Sequence, residues 1–168
     1  MAIVYLSLGS NQGDRIGYVQ QATSLLNMTD NITIVRTSAF YETEPWNMST
    51  KTWFVNAVVE IKTSLSPAEL LYECQRIEKQ LGRTPKETAG YADRTIDIDI
   101  LFYNNDIIDD ENLTIPHKYV HLRAFNLVPM LELNADFEHP VLHKTIIEMH
   151  SDLENPEMVF LYGTRVDI

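Results

Sequence analysis

Hydrophobic and polar positions change period several times along this chain, and each change marks an element. Ile3 to Leu8 reads as a buried first strand, ended by the turn residues Gly9 to Asp14. From Arg15 the period lengthens: Ile16, Val19, Thr23 and Leu26 share one helical face, broadened by Ala22 and Leu25. Ile32 to Phe40 is rich in β-branched residues and predicts a second strand. Phe54 to Thr63 predicts a third, with Val55, Ala57, Val59 and Ile61 on one side and Phe54, Asn56, Val58 and Glu60 on the other. The helix that follows has explicit boundaries. Ser66 is its N-cap, Pro67 its first residue, Glu69 completes a capping box, and Gly82 ends it. Leu70, Leu71, Cys74, Ile77 and Leu81 form its apolar stripe.

Strict alternation returns in Arg94-Thr95-Ile96-Asp97-Ile98-Asp99-Ile100-Leu101, a fourth strand. Residues two apart in a strand point the same way, so Asp97 and Asp99 stand side by side, their Cα atoms roughly 6.5–7 Å apart. Asp is a poor strand former, and two ionised carboxylates so placed repel unless a divalent cation, or a pair of them, offsets the charge. A solvated strand face is the plainer reading. Asp used twice inside a β-branched run favours the metal.

The order strand–helix–strand–strand–helix–strand is the ferredoxin-like βαββαβ arrangement, an α+β fold with helices packed on a mostly antiparallel sheet. Beyond it the pattern predicts a hairpin around Asn104-Asn105, an apolar helix from Leu122 to Leu133, and a less regular C-terminal third. With 168 residues and no repeat or long linker, the chain fits a single domain, residues 1–168.

Composition narrows the function classes. Apolar residues make up 45% and charged residues 22%, which suits an ordinary soluble domain. Thirteen Lys and Arg against 24 Asp and Glu give a net charge of −11, which argues against general affinity for nucleic acid or anionic membranes. One cysteine cannot form an internal disulfide, and neither a secretory leader nor a membrane span is evident, so the expected compartment is the cytoplasm.

In so acidic a chain, local cations stand out. Arg83 and Arg94 bracket one loop, Arg123 opens a helix, and His117 and Lys118 lie between. Together they suggest a focused phosphate site, although surface salt bridges account for any one of them alone. Phe54 and Asn56 share a strand face, where an aromatic wall beside an amide suits a flat heterocycle; a core Phe with a satisfied Asn is the alternative. The loops Tyr41–Trp53 and Gly82–Asp93 are long enough for lids, or are tolerated insertions. His139, His143 and His150 are spaced irregularly and read as surface residues.

Taken together these pieces resemble the 6-hydroxymethyl-7,8-dihydropterin pyrophosphokinases of folate biosynthesis. The resemblance runs from Val4 to about Leu133. It rests on Leu8-Gly9-Ser10-Asn11, Ser38-Ala39-Phe40-Tyr41-Glu42-Thr43, Phe54-Val55-Asn56, Glu78 with Gly82-Arg83, the Asp97/Asp99 strand, Ile115-Pro116-His117 and Arg123-Ala124-Phe125. It implies pyrophosphate transfer from ATP to the pterin hydroxymethyl group, releasing AMP. Asp97 and Asp99 would bind two Mg²⁺ ions; Glu78, Arg83, Arg94, His117 and Arg123 would serve ATP, with Arg83 and Arg94 also counted as catalytic. Asn56 would hydrogen-bond a pterin sandwiched between Phe54 and Phe125, and Thr43, Pro45 and Trp46 would complete that pocket. The expected partners are these small molecules alone, and the expected state a monomer or weak homodimer.

The chain departs from the family pattern before the acidic strand. Gly90-Tyr91-Ala92-Asp93-Arg94 stands where Trp-Gly-Pro-Arg is usual, and Pro85-Lys86 falls near an expected Arg. A weaker lid or altered ATP affinity follows from that difference. Phe54 replaces the more usual Tyr and keeps the stacking face. A rival from another class is a non-catalytic pterin- or nucleotide-sensing module on the same fold.

Overall fold

The computed structural model describes residues 1–82 and 93–166. Strand β1 (Ala2–Ser10) leads into helix α1 (Arg15–Met28), then β2 (Ile32–Thr37), β3 (Tyr41–Thr43) and β4 (Phe54–Thr63). Helix α2 (Pro67–Gln80) precedes β5 (Asp97–Tyr103) and the short pair β6 (Ile108–Asp109) and β7 (Thr114–Ile115). A 3-10 turn at Val120–Leu122 enters α3 (Ala124–Asn134), followed by α4 (Ile146–Ser151) and β8 (Val159–Leu161).

β1 lies between β5 and β4, and β2 and β3 share the far edge of β4. All of these pairings are antiparallel, and the order β5-β1-β4-β2 is the ferredoxin-like one. Local chemistry explains the well-bounded elements. Ser66 accepts the Glu69 N–H while the Glu69 side chain accepts the Ser66 N–H, closing the expected capping box.

The expected strand Ile32–Phe40 is instead interrupted. At Ser38 the side chain takes a place in the ladder: Val58 N–H donates to Ser38 Oγ at 2.9 Å. The Ala39 N–H turns away to the Glu132 carboxylate. Pairing with β4 resumes only at Tyr41.

Two apolar clusters lie on opposite faces of the sheet. Val4, Leu6, Leu8, Val59, Ile61, Ile98 and Ile100 pack against Val19, Ala22 and Leu26 of α1 and Leu70, Cys74 and Ile77 of α2. On the other face Tyr5, Val58, Leu101 and Phe102 pack beneath Leu127 and Met130 of α3 and Ile146 and Met149 of α4. A register shift opposite Tyr5/Leu6 lets Leu101 and Phe102 face the same side, which strict alternation forbids.

Several expectations are corrected here. The turn at Asn104 exists, with φ 48°, but the hairpin it was expected to close is the β6/β7 pair farther on. The C-terminal third is regular: α4 has its own capping box, Thr145 with Glu148, and β8 adds a strand beside β3. His139 is buried against Phe102, with Nδ1 accepting the Val141 and Leu142 N–H groups. Among the described residues no helix is long and apolar enough to cross a membrane.

Candidate active site

At one end of the second face, α3 and α4 leave the strands uncovered, and a cavity of about 340 Å³ opens over them. Its floor is a row across three strands. Asp97 on β5 pairs with Gly9 on β1, which pairs with Asn56 on β4; two residues along, Asp99 pairs with Ser7. Gly9 keeps the row open. A Cβ there would lie 2.3 Å from Asn56 Oδ1, so any side chain would displace the amide.

Asn56 Nδ2 donates to Thr43 Oγ1 at 2.6 Å, an arrangement that aims Oδ1 toward Gly9. The amide is thus fixed by Thr43, and both residues line the cavity with Phe54, Trp46 and Phe125. Pro45, expected in the same pocket, does not line it.

The acidic pair lies side by side at the other end. Arg94, almost fully buried, donates from Nη1 to Asp97 Oδ2 at 3.0 Å. Its main chain is clamped by Asn11: Arg94 N–H donates to Asn11 Oδ1 and Asn11 N–H donates to the Arg94 carbonyl. Asp99 lies beside Asp97 on the same face, its side chain 32% exposed. Burial and the neighbouring Asp97 carboxylate push its carboxyl up to about 7, against the pull of Arg123 and Arg94. From α2, Glu78 reaches round the outer edge of β5, and its Oε2 accepts the Ile98 N–H at 2.9 Å.

His117 follows a cis Ile115-Pro116 bond and is half-buried, its side chain 21% exposed. Its Nδ1 accepts the Tyr119 N–H at 3.2 Å, which leaves the proton on Nε2, 3.8 Å from Asp99 Oδ2. Burial and the Arg123 charge lower its pKa to about 4, against Asp97, so the ring is neutral at pH 7. Arg123 is 5% exposed, its guanidinium caged by Trp46, Phe125 and Tyr119 at 4.8, 5.2 and 5.4 Å. Its buried Nε has no hydrogen-bond partner among the described residues. An anionic oxygen would satisfy that donor.

Arg83 lies outside the described residues, as do Lys86 and Tyr91 of the departing loop. Sequence reasoning missed Gln75, Tyr119 and Ser7, which also line the cavity. Gln75 lies three residues before Glu78 and so shares its helix face, a spacing that could have found it.

Residues 5–135 match the family model of the 7,8-dihydro-6-hydroxymethylpterin-pyrophosphokinases (HPPK). The chain belongs to that family. It is 44% identical over 136 residues to the 2-amino-4-hydroxy-6-hydroxymethyldihydropteridine pyrophosphokinase of Bacillus subtilis, covering 81% of this chain and 80% of that one. The protein of the same name from Aquifex aeolicus is 40% identical over 148 residues, covering 88% and 90%. The folic acid synthesis protein fol1 of Pneumocystis carinii is 40% identical over 166 residues; these span 96% of this chain but only 22% of that larger protein. A crystal structure of an HPPK-DHPS protein in complex with substrates shares the fold at a TM-score of 0.72 and 15% identity, covering 89% of this chain and 43% of that one.

Proposed function

We propose that the protein transfers pyrophosphate from ATP to the hydroxymethyl group of 6-hydroxymethyl-7,8-dihydropterin, giving the pterin diphosphate and AMP in folate biosynthesis. The protein is an ATP-dependent diphosphokinase, and its 168 residues act as one cytoplasmic pyrophosphokinase domain. The observation that carries this reading is the cavity floor. An acidic pair and an aromatic-lined amide lie at its two ends, with a glycine between them.

The donor set suits magnesium. Two neighbouring carboxylates are hard oxygen ligands, and Mg²⁺ typically takes one or two such groups, completing its shell with water and substrate phosphates. Asp97 and Asp99 would hold two Mg²⁺ ions, which when bound supply charge neutralisation between the substrates.

The chain's own residues do the rest. Arg94 and Arg123 meet phosphate oxygens, and Arg83 would add a third guanidinium. His117, neutral, donates from Nε2 to a phosphate oxygen. Glu78 holds the edge of β5 in register and lines the nucleotide end of the cavity. Asn56 reads the ring edge, Phe54 and Phe125 stack on its faces, and Thr43 and Trp46 close the rim. We assign no general base, because a metal-bound Asp97 is a feeble one.

The test is to mix the protein with ATP, the reduced pterin and magnesium and to separate the nucleotides. AMP release dependent on pterin and on magnesium is expected. Pterin binding with no AMP would replace this reading with a sensing module.

A further inference from the structure

Residues after position 135 lie beyond the stretch matched to the family, yet they brace the ring-binding end of the cavity. β8 pairs Val159 with Thr43 and Phe160 with Glu42. Just before it, the Glu44 N–H donates to the Met158 carbonyl at 2.9 Å, and the Met158 N–H donates to Glu44 Oε1 at 3.0 Å. Glu157 reaches the opposite wall: Oε1 accepts the Ala124 N–H at 3.1 Å and Oε2 accepts the Phe125 N–H at 3.2 Å.

α3 has no cap of its own, since Arg123 at the N-cap makes no side-chain capping bond. The first N–H groups of a helix lack partners within it, and a carboxylate there both accepts them and meets the positive end of the helix. Glu157 is partly buried, and burial pushes its carboxyl up, opposed by the N–H groups it accepts. Three consecutive residues, Glu157, Met158 and Val159, therefore bind both walls: the loop from Thr43 to Trp46 and the turn carrying Phe125.

We propose that Glu157 is a positioning residue for the ring substrate: by holding the first turn of α3 it sets the stacking face of Phe125 against the Thr43–Trp46 loop. This rests on the pterin reading above. The Arg123 guanidinium stacks on Phe125 but is held by Trp46 and Tyr119 as well, so the effect falls more on the ring than on the nucleotide.

The experiment is isothermal titration of the full chain with 6-hydroxymethylpterin in the presence of magnesium and a non-hydrolysable ATP analogue, paired with KM values for both substrates. Glu157→Ala is expected to weaken pterin binding about tenfold, the scale of losing a carboxylate at a helix terminus. Affinity for the ATP analogue should stay within about threefold. Glu157→Gln, which keeps one oxygen acceptor, should recover part of the loss. Parent-like pterin affinity in Glu157→Ala, or equal losses for ring and nucleotide, overturns the positioning role. If Glu157→Ala does not fold, Glu157→Gln decides: a selective pterin loss supports the role and unchanged affinity refutes it. An unaltered chain that binds no pterin overturns the site reading and this inference with it, whereas parent-like affinity in the variants overturns this inference alone.

Discussion

On the α1/α2 face of the sheet, β1, β4 and β5 present Leu6, Val59 and Ile98, and two helices bury them. On the opposite face the same strands present Ser7, Asn56 and Asp99 to an open cavity, because α3 and α4 cover only the part that carries Tyr5, Val58 and Phe102. The first face is closed by apolar burial, which is non-directional and asks only for shape. The second keeps charged groups and an amide at an open cavity. Asp99 and Asp97 repel, and the Arg123 Nε has no hydrogen-bond partner among the described residues. Stability accumulates on one face, and the other gives some of it up for binding.

The sharpest way to break the comparison is a reciprocal pair of variants. Asp99→Asn should lower pterin-dependent AMP release by at least ~10³-fold, the scale of removing charge stabilisation at a phosphoryl centre. It should also raise Tm in magnesium-free buffer at pH 8. Burial and Asp97 raise the Asp99 carboxyl to about 7, above the 3.8 of its unfolded state, so wild-type stability falls as pH rises between those values. The gain should therefore shrink toward pH 4. Leu26→Ala on the other face should do the reverse. It removes a fully buried side chain at a cost of ~2–5 kcal/mol, read by chemical denaturation, while turnover per folded molecule is kept.

A smaller effect is expected from Gly9→Ala. The added methyl meets Asn56 Oδ1 at 2.3 Å and must displace it, so pterin KM should rise about tenfold with ATP KM nearly unchanged. Equal changes in both would mean that Gly9 serves the strand and not the amide.

The smallest effect concerns acid. His139 is held neutral, with a pKa lowered to about 4 by burial and by His121 and His143. A group whose folded value is depressed contributes stability that is present above its unfolded value of 6.5 and lost as pH falls from there toward 4. His139→Gln should flatten the fall of unfolding free energy over that range by about 1–3 kcal/mol, read by chemical denaturation. An unchanged slope would place the acid sensitivity elsewhere.

What could be read from the sequence was whatever local chemistry dictates. The capping box at Ser66 and Glu69, the period of α1 and the alternation of β4 and β5 each follow from neighbours a few residues apart, and the acidic pair needed only the two-residue repeat of a strand. The motif resemblance then assembled distant pieces such as Asn56, Arg94 and Phe125 into one site. Other features depended on contacts across the fold. Ser38 ends β2 because its hydroxyl meets β4 twenty residues on, and Leu101 and Phe102 share a face because β1 imposes a register shift. His139 is buried because Phe102 lies under it, and Glu157 caps a helix that begins 33 residues earlier. Sequence by itself determined the helices and strands of the βαββαβ core and where their faces must point, since those depend on periodicity and short-range hydrogen bonds. Only the tertiary structure decided which face stays open and what braces its rim, because a buried polar group takes its partner from whatever the fold brings near, at any distance along the chain.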